Sequence, residues 1–115
     1  MEIRFSSCGN VCALKITGRL DAANAGILKS EFMEASRNNS KFIFDLSEME
    51  YIDSTGLGSM VSCLKSIIDK EGFLKLAGLR DKPRMIFEIT RAYRIFDIYD
   101  SMESAVEACN ISKGA

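Results

Sequence analysis

Residues 42–46 have the sequence Phe-Ile-Phe-Asp-Leu, a short and almost continuous apolar run between polar segments. Such a run is typical of a strand buried on both faces, as in parallel sheets covered by helices. A strongly amphipathic helix is predicted next, from Asp53 or Ser54 to about Lys70. Its apolar residues fall within about 120° of arc at about 100° per residue, and they are Leu57, Met60, Val61, Leu64, Ile67 and Ile68. A buried strand followed by such a helix predicts an α/β fold.

The residues on the N-terminal side of this strand predict a hairpin and one further helix. Ile3–Ser7 alternates apolar and polar residues, Gly9-Asn10 is a turn signal, and Val11–Thr17 is the second predicted strand. Asp21 is a candidate N-cap for a helix from about Ala22 to Arg37. The hairpin therefore adds an antiparallel edge to the predicted sheet.

The residues on the C-terminal side of the amphipathic helix continue the alternation of strands and helices. Phe73–Ala77 is a predicted strand, and Asp81 is a candidate cap for the helix that follows it. The residues of that helix predicted to face the core are Met85, Ile86 and Ile89. A last strand is predicted from Arg94 to Tyr99, and Asp100 and Glu103 have capping-box spacing before a fourth helix.

The predicted order of elements is β-β-α-β-α-β-α-β-α. Strands that alternate with helices favour a mixed, mostly parallel sheet, here of about five strands with about four helices. A chain of 115 residues and 12.8 kDa buries roughly two-thirds of its extended surface on folding, which is enough for one sizeable core. We therefore expect residues 1–115 to form a single domain.

Composition and charge exclude many classes of function. The chain contains no His, which excludes Ser-His-Asp and Cys-His nucleophile pairs and imidazole metal sites. Its 15 Lys and Arg residues against 16 Asp and Glu residues give a net charge of −1, without the basic surplus of proteins that bind nucleic acid or anionic membranes. No signal peptide and no apolar run of about 18 residues is recognisable. We expect a cytoplasmic protein with no cofactor and no membrane partner.

The four cysteines are Cys8, Cys12, Cys63 and Cys109. None belongs to a C-x-x-C pair, which excludes a zinc site built from two such pairs. We expect all four to be reduced, partly buried thiols, and no metal site.

The segment Asp53-Ser54-Thr55-Gly56-Leu57-Gly58 lies where the amphipathic helix is predicted to begin. One interpretation is plain N-capping, in which Asp53 or Ser54 accepts hydrogen bonds from the first helical N–H groups. Each glycine costs the helix about 1 kcal/mol relative to alanine, so a further reason must favour small residues here. The segment lacks the residues that a P-loop, a nucleophile elbow or an aspartic-protease half-site requires.

This segment, preceded by Met49-Glu50-Tyr51-Ile52, resembles the phosphorylation loop of the bacterial anti-sigma factor antagonists, which are STAS-domain proteins. Gly18-Arg19-Leu20-Asp21 resembles the Gly-x-Leu-Asp turn that ends the second strand in that family. Residues 42–47 resemble its central strand, and residues 95–100 resemble its last strand. The resemblance covers essentially the whole chain and implies the STAS fold.

The resemblance implies a partner-switching protein that is not an enzyme. The unphosphorylated form binds an anti-sigma factor that is also a serine kinase, and a sigma factor is freed. The kinase then uses ATP to phosphorylate the serine after the loop aspartate, here Ser54 with Thr55 as the rival acceptor, and the complex dissociates. A metal-dependent PP2C-type phosphatase resets the switch. In the family, the carboxylate that corresponds to Asp21 borders the phosphorylation site.

The alternative is a STAS accessory subunit of a transporter or signalling assembly, whose Ser54 is never modified. We expect the free protein to be a monomer in either case. A kinase substrate must expose its serine, and a loop that opens a helix permits this. A phosphoryl group would carry about −1.5 to −2 charge at a helix N-terminus, where an anion is stabilised.

Small, uncharged residues are predicted on the outer face of the amphipathic helix. Opposite the apolar arc, the residues within about 100° of one another are Thr55, Gly58, Ser59, Ser62 and Ser66. One interpretation is that small residues are merely tolerated on a wetted surface. The other, which we prefer, is that these residues and Ser54 form the surface on which the anti-sigma kinase docks.

Overall fold

The structure, a computed structural model, describes residues 1–114 of the chain and the side chains of residues 1–110. The strands are β1 (Glu2–Cys8), β2 (Val11–Leu20), β3 (Lys41–Ile52), β4 (Phe73–Ala77) and β5 (Asp97–Tyr99). The helices are α1 (Ala25–Ala35), α2 (Ser54–Asp69), α3 (Asp81–Ile89) and α4 (Met102–Gly114), with a 3₁₀ turn at Ala92–Arg94. The predicted α/β class and the predicted order of elements are both confirmed.

The five strands form one sheet in the order β1-β2-β3-β4-β5. β1 pairs antiparallel with β2, and every later neighbouring pair is parallel. The predicted hairpin edge on a mostly parallel sheet is therefore correct. Because β2 and β3 are parallel neighbours, their carboxyl ends meet at one edge of the sheet, where Leu20 pairs with Ile52.

Helices cover both faces of the sheet. Buried residues of α1, α2 and α3 join the larger core, in which the Phe32 ring lies 4.5 Å from the Phe42 ring and 5.8 Å from the Phe44 ring. On the other face, Ile43 packs in a smaller cluster with Cys109 of α4. Successive residues of β3 thus point into opposite cores, which confirms the prediction of a strand buried on both faces.

Two strands are longer than the sequence predicted. β2 continues past its predicted end at Thr17 to Leu20, and β3 continues past the predicted run at residues 42–46 to Ile52. Gly18 has φ +91° and lies at an irregularity in the pairing of β2 with β3. Instead of ending β2, this glycine changes its register, so both strands reach the edge that carries the candidate site.

Three predicted helix caps are wrong. Asp81 is the first residue of α3 and not its cap, since Arg80 is in the N-cap position and no side chain caps this helix. α1 begins at Ala25, and the Asp21 carboxylate accepts a hydrogen bond from the Ala23 N–H within the preceding turn. At the start of α4, Ser101 rather than Asp100 is the capping residue, because its hydroxyl accepts from the Ser104 N–H. Short polar side chains satisfy local N–H groups in turns as readily as in caps, so sequence alone placed each cap imprecisely.

The predicted inward face of α3 is correct for Ile86, which packs against the larger core, and wrong for the other two residues. Met85 is 59% exposed and Ile89 is 76% exposed, whereas Phe87 is fully buried. The Phe87 ring packs 5.9 Å from the Phe96 ring, in the loop before β5. α3 contacts β3 and the 3₁₀ turn at Ala92–Arg94, and the side of the helix that carries Phe87 is the one that these neighbours bury.

All four cysteines are free, as predicted, and only Cys8 is partly exposed. Burial raises the pKa of Cys63 to about 12, so at pH 8 this thiol is almost entirely protonated and unreactive.

We expect a disulfide-exchange reagent to titrate Cys8 first in the folded protein and all four thiols in denaturant without reductant. A count of two or fewer in freshly purified, denatured protein would contradict this prediction.

None of the helices in the described residues combines the length and the apolar character that crossing a bilayer requires.

Candidate functional site

The candidate site lies where β2 and β3 end, and backbone hydrogen bonds join the two chain segments that leave them. The Asp53 N–H donates to the Leu20 carbonyl oxygen at 3.3 Å. The Ala22 N–H donates to Oδ2 of Asp53 at 3.1 Å. The turn after β2 and the start of α2 therefore form one structural unit.

Asp53 is the N-cap of α2, which confirms the first of the two predicted capping residues, Asp53 and Ser54. Its backbone is extended, with φ −106° and ψ −179°, and its Oδ1 accepts from the Gly56 N–H at 2.7 Å. Its other carboxylate oxygen binds Ala22. Because both oxygens already accept backbone hydrogen bonds, this carboxylate is a structural group that holds the loop in place.

The two glycines of the loop have different environments. A side chain at residue 56 would place its Cβ only 2.3 Å from the Leu20 carbonyl oxygen, so the fold requires glycine there. A Cβ at residue 58 would have no neighbouring atom within 4 Å. The predicted need for a small residue therefore has a structural cause at Gly56 and none within the fold at Gly58.

Ser54 and Thr55 are the first two residues of α2, and both are exposed. First-turn hydroxyls have no preceding helical turn to bond, whereas Ser59, one turn later, donates to the Gly56 carbonyl oxygen at 2.6 Å. The helix N-terminus also has a positive partial charge. The geometry thus presents two accessible hydroxyl groups where an added anion would be stabilised.

Asp21 lies in the turn immediately before Ala22, which Asp53 binds. Oδ1 of Asp21 accepts from the Ala23 N–H at 3.0 Å, and its own N–H donates to the Asn24 side chain at 2.9 Å. The Asn24 amide in turn donates to the Arg19 carbonyl oxygen at 2.8 Å. These hydrogen bonds stabilise the turn, and the bond between Ala22 and Asp53 joins it to the loop at residues 53–58. Asp21 therefore lies close to the candidate site.

Sequence reasoning did not single out the pair formed by Arg19 and Tyr51. The two residues are opposite each other in the register of β2 and β3, and the Arg19 guanidinium carbon lies 4.0 Å from the centre of the Tyr51 ring. Nε of Arg19 lies 3.6 Å from Oδ2 of Asp21. The pairing depends on the irregular register of the two strands, for which the sequence carries no clear signal.

The predicted surface of small residues is wrong in part. Ser59 is buried, with 4% of its surface exposed, and Ser62 and Ser66 are partly buried. The physical reason is that α1 packs along this side of α2. Lys70, on the same side as Ser59 and Ser66 by helical spacing, donates to the carbonyl oxygen of Ser36 at the end of α1 at 3.3 Å.

The exposed face of α2 is rotated away from α1. Near its N-terminus this face is small and uncharged, and farther along it carries charged and apolar side chains. Its exposed residues are Ser54, Thr55, Gly58, Lys65, Ile68 and Asp69. A partner's backbone can therefore approach the first turns of α2 closely, but not its whole length.

Within residues 1–110, no group of three or more Cys, Asp or Glu side chains could hold a metal ion. The two carboxylates nearest the loop, Asp21 and Asp53, already accept backbone hydrogen bonds. What this arrangement offers chemically is an exposed hydroxyl group at the same edge of the sheet as a charged and aromatic pair.

A family model for the STAS domain matches residues 3–105 of the chain. The anti-sigma-B factor antagonist of Bacillus subtilis (strain 168) is 30% identical over 98 residues, which cover 85% of this chain and 90% of that protein. A crystal structure of a candidate anti-sigma factor antagonist from Thermotoga maritima superposes with a TM-score of 0.87 at 30% identity and covers 92% of each chain.

The anti-sigma factor antagonist SpoIIAA of Bacillus has a similar fold and has been solved in two states. Its unphosphorylated form superposes with a TM-score of 0.73 at 15% identity, covering 99% of this chain and 100% of that chain. Its phosphorylated form gives the same TM-score at 14% identity, covering 94% and 99%. At these identities the likeness concerns the fold alone.

Proposed function

The chain belongs to the STAS domain family, as one of its anti-sigma factor antagonists, and we propose that it acts by partner switching. In this proposal its unphosphorylated form binds an anti-sigma factor that is also a serine kinase, and a sigma factor is freed. Phosphorylation of Ser54 ends the complex, and a PP2C-type phosphatase restores the binding form. The chain acts in the cytoplasm as a regulatory binding protein and a substrate, not as an enzyme.

The observation that carries the proposal is the position of Ser54 at the exposed N-terminus of α2, after an N-cap with both carboxylate oxygens occupied. A phosphoryl group there gains from the helix dipole and from the first helical N–H groups. The anchoring bonds of Asp53 do not involve the Ser54 side chain, so the modification leaves the fold unchanged. The switch then acts at the interface, where the new charge repels the partner.

The decisive test is intact-mass measurement after incubation with a co-encoded anti-sigma kinase and ATP. The proposal requires a gain of one phosphate that maps to Ser54 and is lost in the Ser54→Ala variant. Phosphate on Thr55 would move the acceptor by one residue. No phosphate with any co-encoded kinase would contradict the proposal and favour the unmodified accessory subunit.

The first turns of α2 are proposed as the docking surface, with Gly58 and Ser62 next to Ser54. A Ser62→Lys variant should keep nearly the same thermal stability, because the site is partly exposed and Lys is a better helix former than Ser. The bulky charged side chain should weaken kinase binding by about 1–3 kcal/mol, as for a disrupted interface core. Calorimetric titration and thermal unfolding measure both quantities.

Asn110→Lys is the matched control for this variant. It adds the same charge at an exposed helical position, on α4, which covers the opposite face of the sheet. It should bind the kinase like the unmodified chain. If Ser62→Lys also binds normally, the docking surface does not extend one turn beyond Gly58.

A further inference from the structure

The Arg19 side chain is held in place at the edge of the candidate site and yet remains open to solvent. Its guanidinium carbon lies 4.0 Å from the centre of the Tyr51 ring, and its Nε lies 3.6 Å from Oδ2 of Asp21. The side chain is nevertheless 62% exposed. Stacking on the aromatic ring limits its freedom without using its hydrogen-bond donors.

The fold brings this guanidinium to the same edge as Ser54. Tyr51, on which it stacks, precedes Ser54 by three residues and pairs with Arg19 across the two strands. Leu20, the residue after Arg19, accepts the hydrogen bond of the Asp53 N–H. Leu20 and Asp53 are therefore in direct backbone contact. Arg19 is the residue before Leu20, and Ser54 is the residue after Asp53.

The contact between Arg19 and Asp21 is weak enough to be replaced. A charge-assisted N–H···O hydrogen bond measures about 2.7–2.9 Å, whereas this contact is 3.6 Å long and exposed on the Arg19 side. Exposed ion pairs of this kind contribute little to stability. Oδ1 of Asp21 also keeps its bond from the Ala23 N–H, so the departure of Arg19 would not leave that carboxylate without a partner.

A phosphoserine is a stronger ligand for the guanidinium than Asp21 is. It carries about −1.5 to −2 charge and three acceptor oxygens, which the planar fork of arginine binds in a bidentate manner. Asp53 does not compete, since both its oxygens accept backbone hydrogen bonds. Arg80 and Lys82 border a hollow together with Glu50, and there they face the opposing charges of Glu50 and Asp81.

We propose that Arg19 binds the phosphoryl group of phosphorylated Ser54 and leaves Asp21 to do so, an inference that rests on the function proposed above. Phosphorylation then changes the surface in two places. It adds negative charge at Ser54, and it withdraws an exposed cation from the Tyr51 ring. A partner that touches both residues loses two contacts in one modification.

The test uses protein with phosphoserine incorporated genetically at position 54, so that no kinase is needed. A neighbouring cation stabilises the dianion and lowers the second pKa of the phosphoserine below its ordinary value of about 6. Phosphorus NMR titration should therefore show that Arg19→Gln raises this pKa by about half a unit. Arg19→Lys, which keeps the charge but loses the fork, should give an intermediate value.

Two control variants distinguish a direct contact between Arg19 and the phosphoserine from the electrostatic effect of cations elsewhere in the protein. Lys15→Gln removes the same charge four residues earlier on β2, about 13 Å from Arg19, and should leave the phosphoserine pKa unchanged. Arg80→Gln should also leave it unchanged. An unaltered pKa in Arg19→Gln, or a larger rise in Arg80→Gln, would overturn the proposal. Neither outcome depends on whether a kinase modifies Ser54, so failure here is distinct from failure of the proposed function.

Discussion

Gly56→Ala will be strongly destabilised, because its added methyl group would lie 2.3 Å from the Leu20 carbonyl oxygen. Backbone cannot move aside as a flexible side chain can, and this backbone also accepts the Asp53 N–H. Overpacking against a core typically costs about 1–3 kcal/mol, and the contact here is at the severe end of that range. We expect a loss of about 3 kcal/mol and a thermal midpoint lowered by roughly 10 °C.

Gly58→Ala is the matched control, two residues farther along the same helix. A Cβ at residue 58 meets no atom within 4 Å, so the substitution should add only the helix propensity of alanine. That gain is about 1 kcal/mol, and the variant should unfold at a higher temperature than the unmodified chain. Circular dichroism during heating measures both variants. Equal midpoints for Gly56→Ala and Gly58→Ala would mean that α2 does not approach Leu20 as closely as described.

The sequence predicts the order of elements because the periodic spacing of apolar residues is a strong indicator of secondary structure in long segments. The six apolar residues of α2 follow a helical period, and residues 42–46 form an apolar run that is too short for a helix. Together they fix a parallel strand and its following helix. The hairpin turn at Gly9-Asn10 fixes the antiparallel edge.

The second half of β3 could not be predicted in this way. Its buried residues after Leu46 are Met49 and Ile52, a spacing of three instead of the alternation of a regular strand. The pairing of β2 with β3 shifts register twice, which produces that spacing. A pattern with period three predicts neither a strand nor a helix, so the predicted strand ends at residue 46.

The buried side of a short helix is similarly hard to predict when apolar residues surround it. In α3, Met85 and Ile89 are as apolar as Phe87, but only Phe87 finds a ring to pack against. In α2, Ser59 is small and polar yet buried, since α1 leaves little space beside it and its hydroxyl bonds the backbone within the helix. Burial in both cases depends on packing against residues outside the helix itself.

Part of the candidate site follows from local chemistry and part from the tertiary fold. Asp53 was a predicted N-cap because its side chain and the first helical N–H groups are neighbours in sequence. The contact between Gly56 and Leu20 joins residues far apart in the chain. The low helix propensity of Gly56 indicates that a close contact requires a small residue there, but it does not indicate which residue makes that contact.

The Ser54→Ala and Ser54→Asp variants should differ about a hundredfold in their affinity for the anti-sigma kinase. Ser54→Ala has no acceptor hydroxyl and should stay bound when ATP is supplied. In Ser54→Asp the new carboxylate is exposed at the first residue of α2, where an acidic residue is favourable, so its thermal stability should remain close to that of the unmodified chain. Any loss of affinity would then result from a change at the interface with the kinase and not from a loss of folding stability.

The expected magnitude follows from charge repulsion alone. One added charge about 5 Å from a like charge on the partner costs about 3 kcal/mol at an effective dielectric constant of 20, which corresponds to roughly a hundredfold in affinity. Asn110→Asp, which adds the same charge on the opposite face of the sheet, should bind normally. Salt should narrow the difference, because screening weakens exposed charges. If Ser54→Ala and Ser54→Asp bind with the same affinity by calorimetry at low salt, charge at this residue does not control the partner.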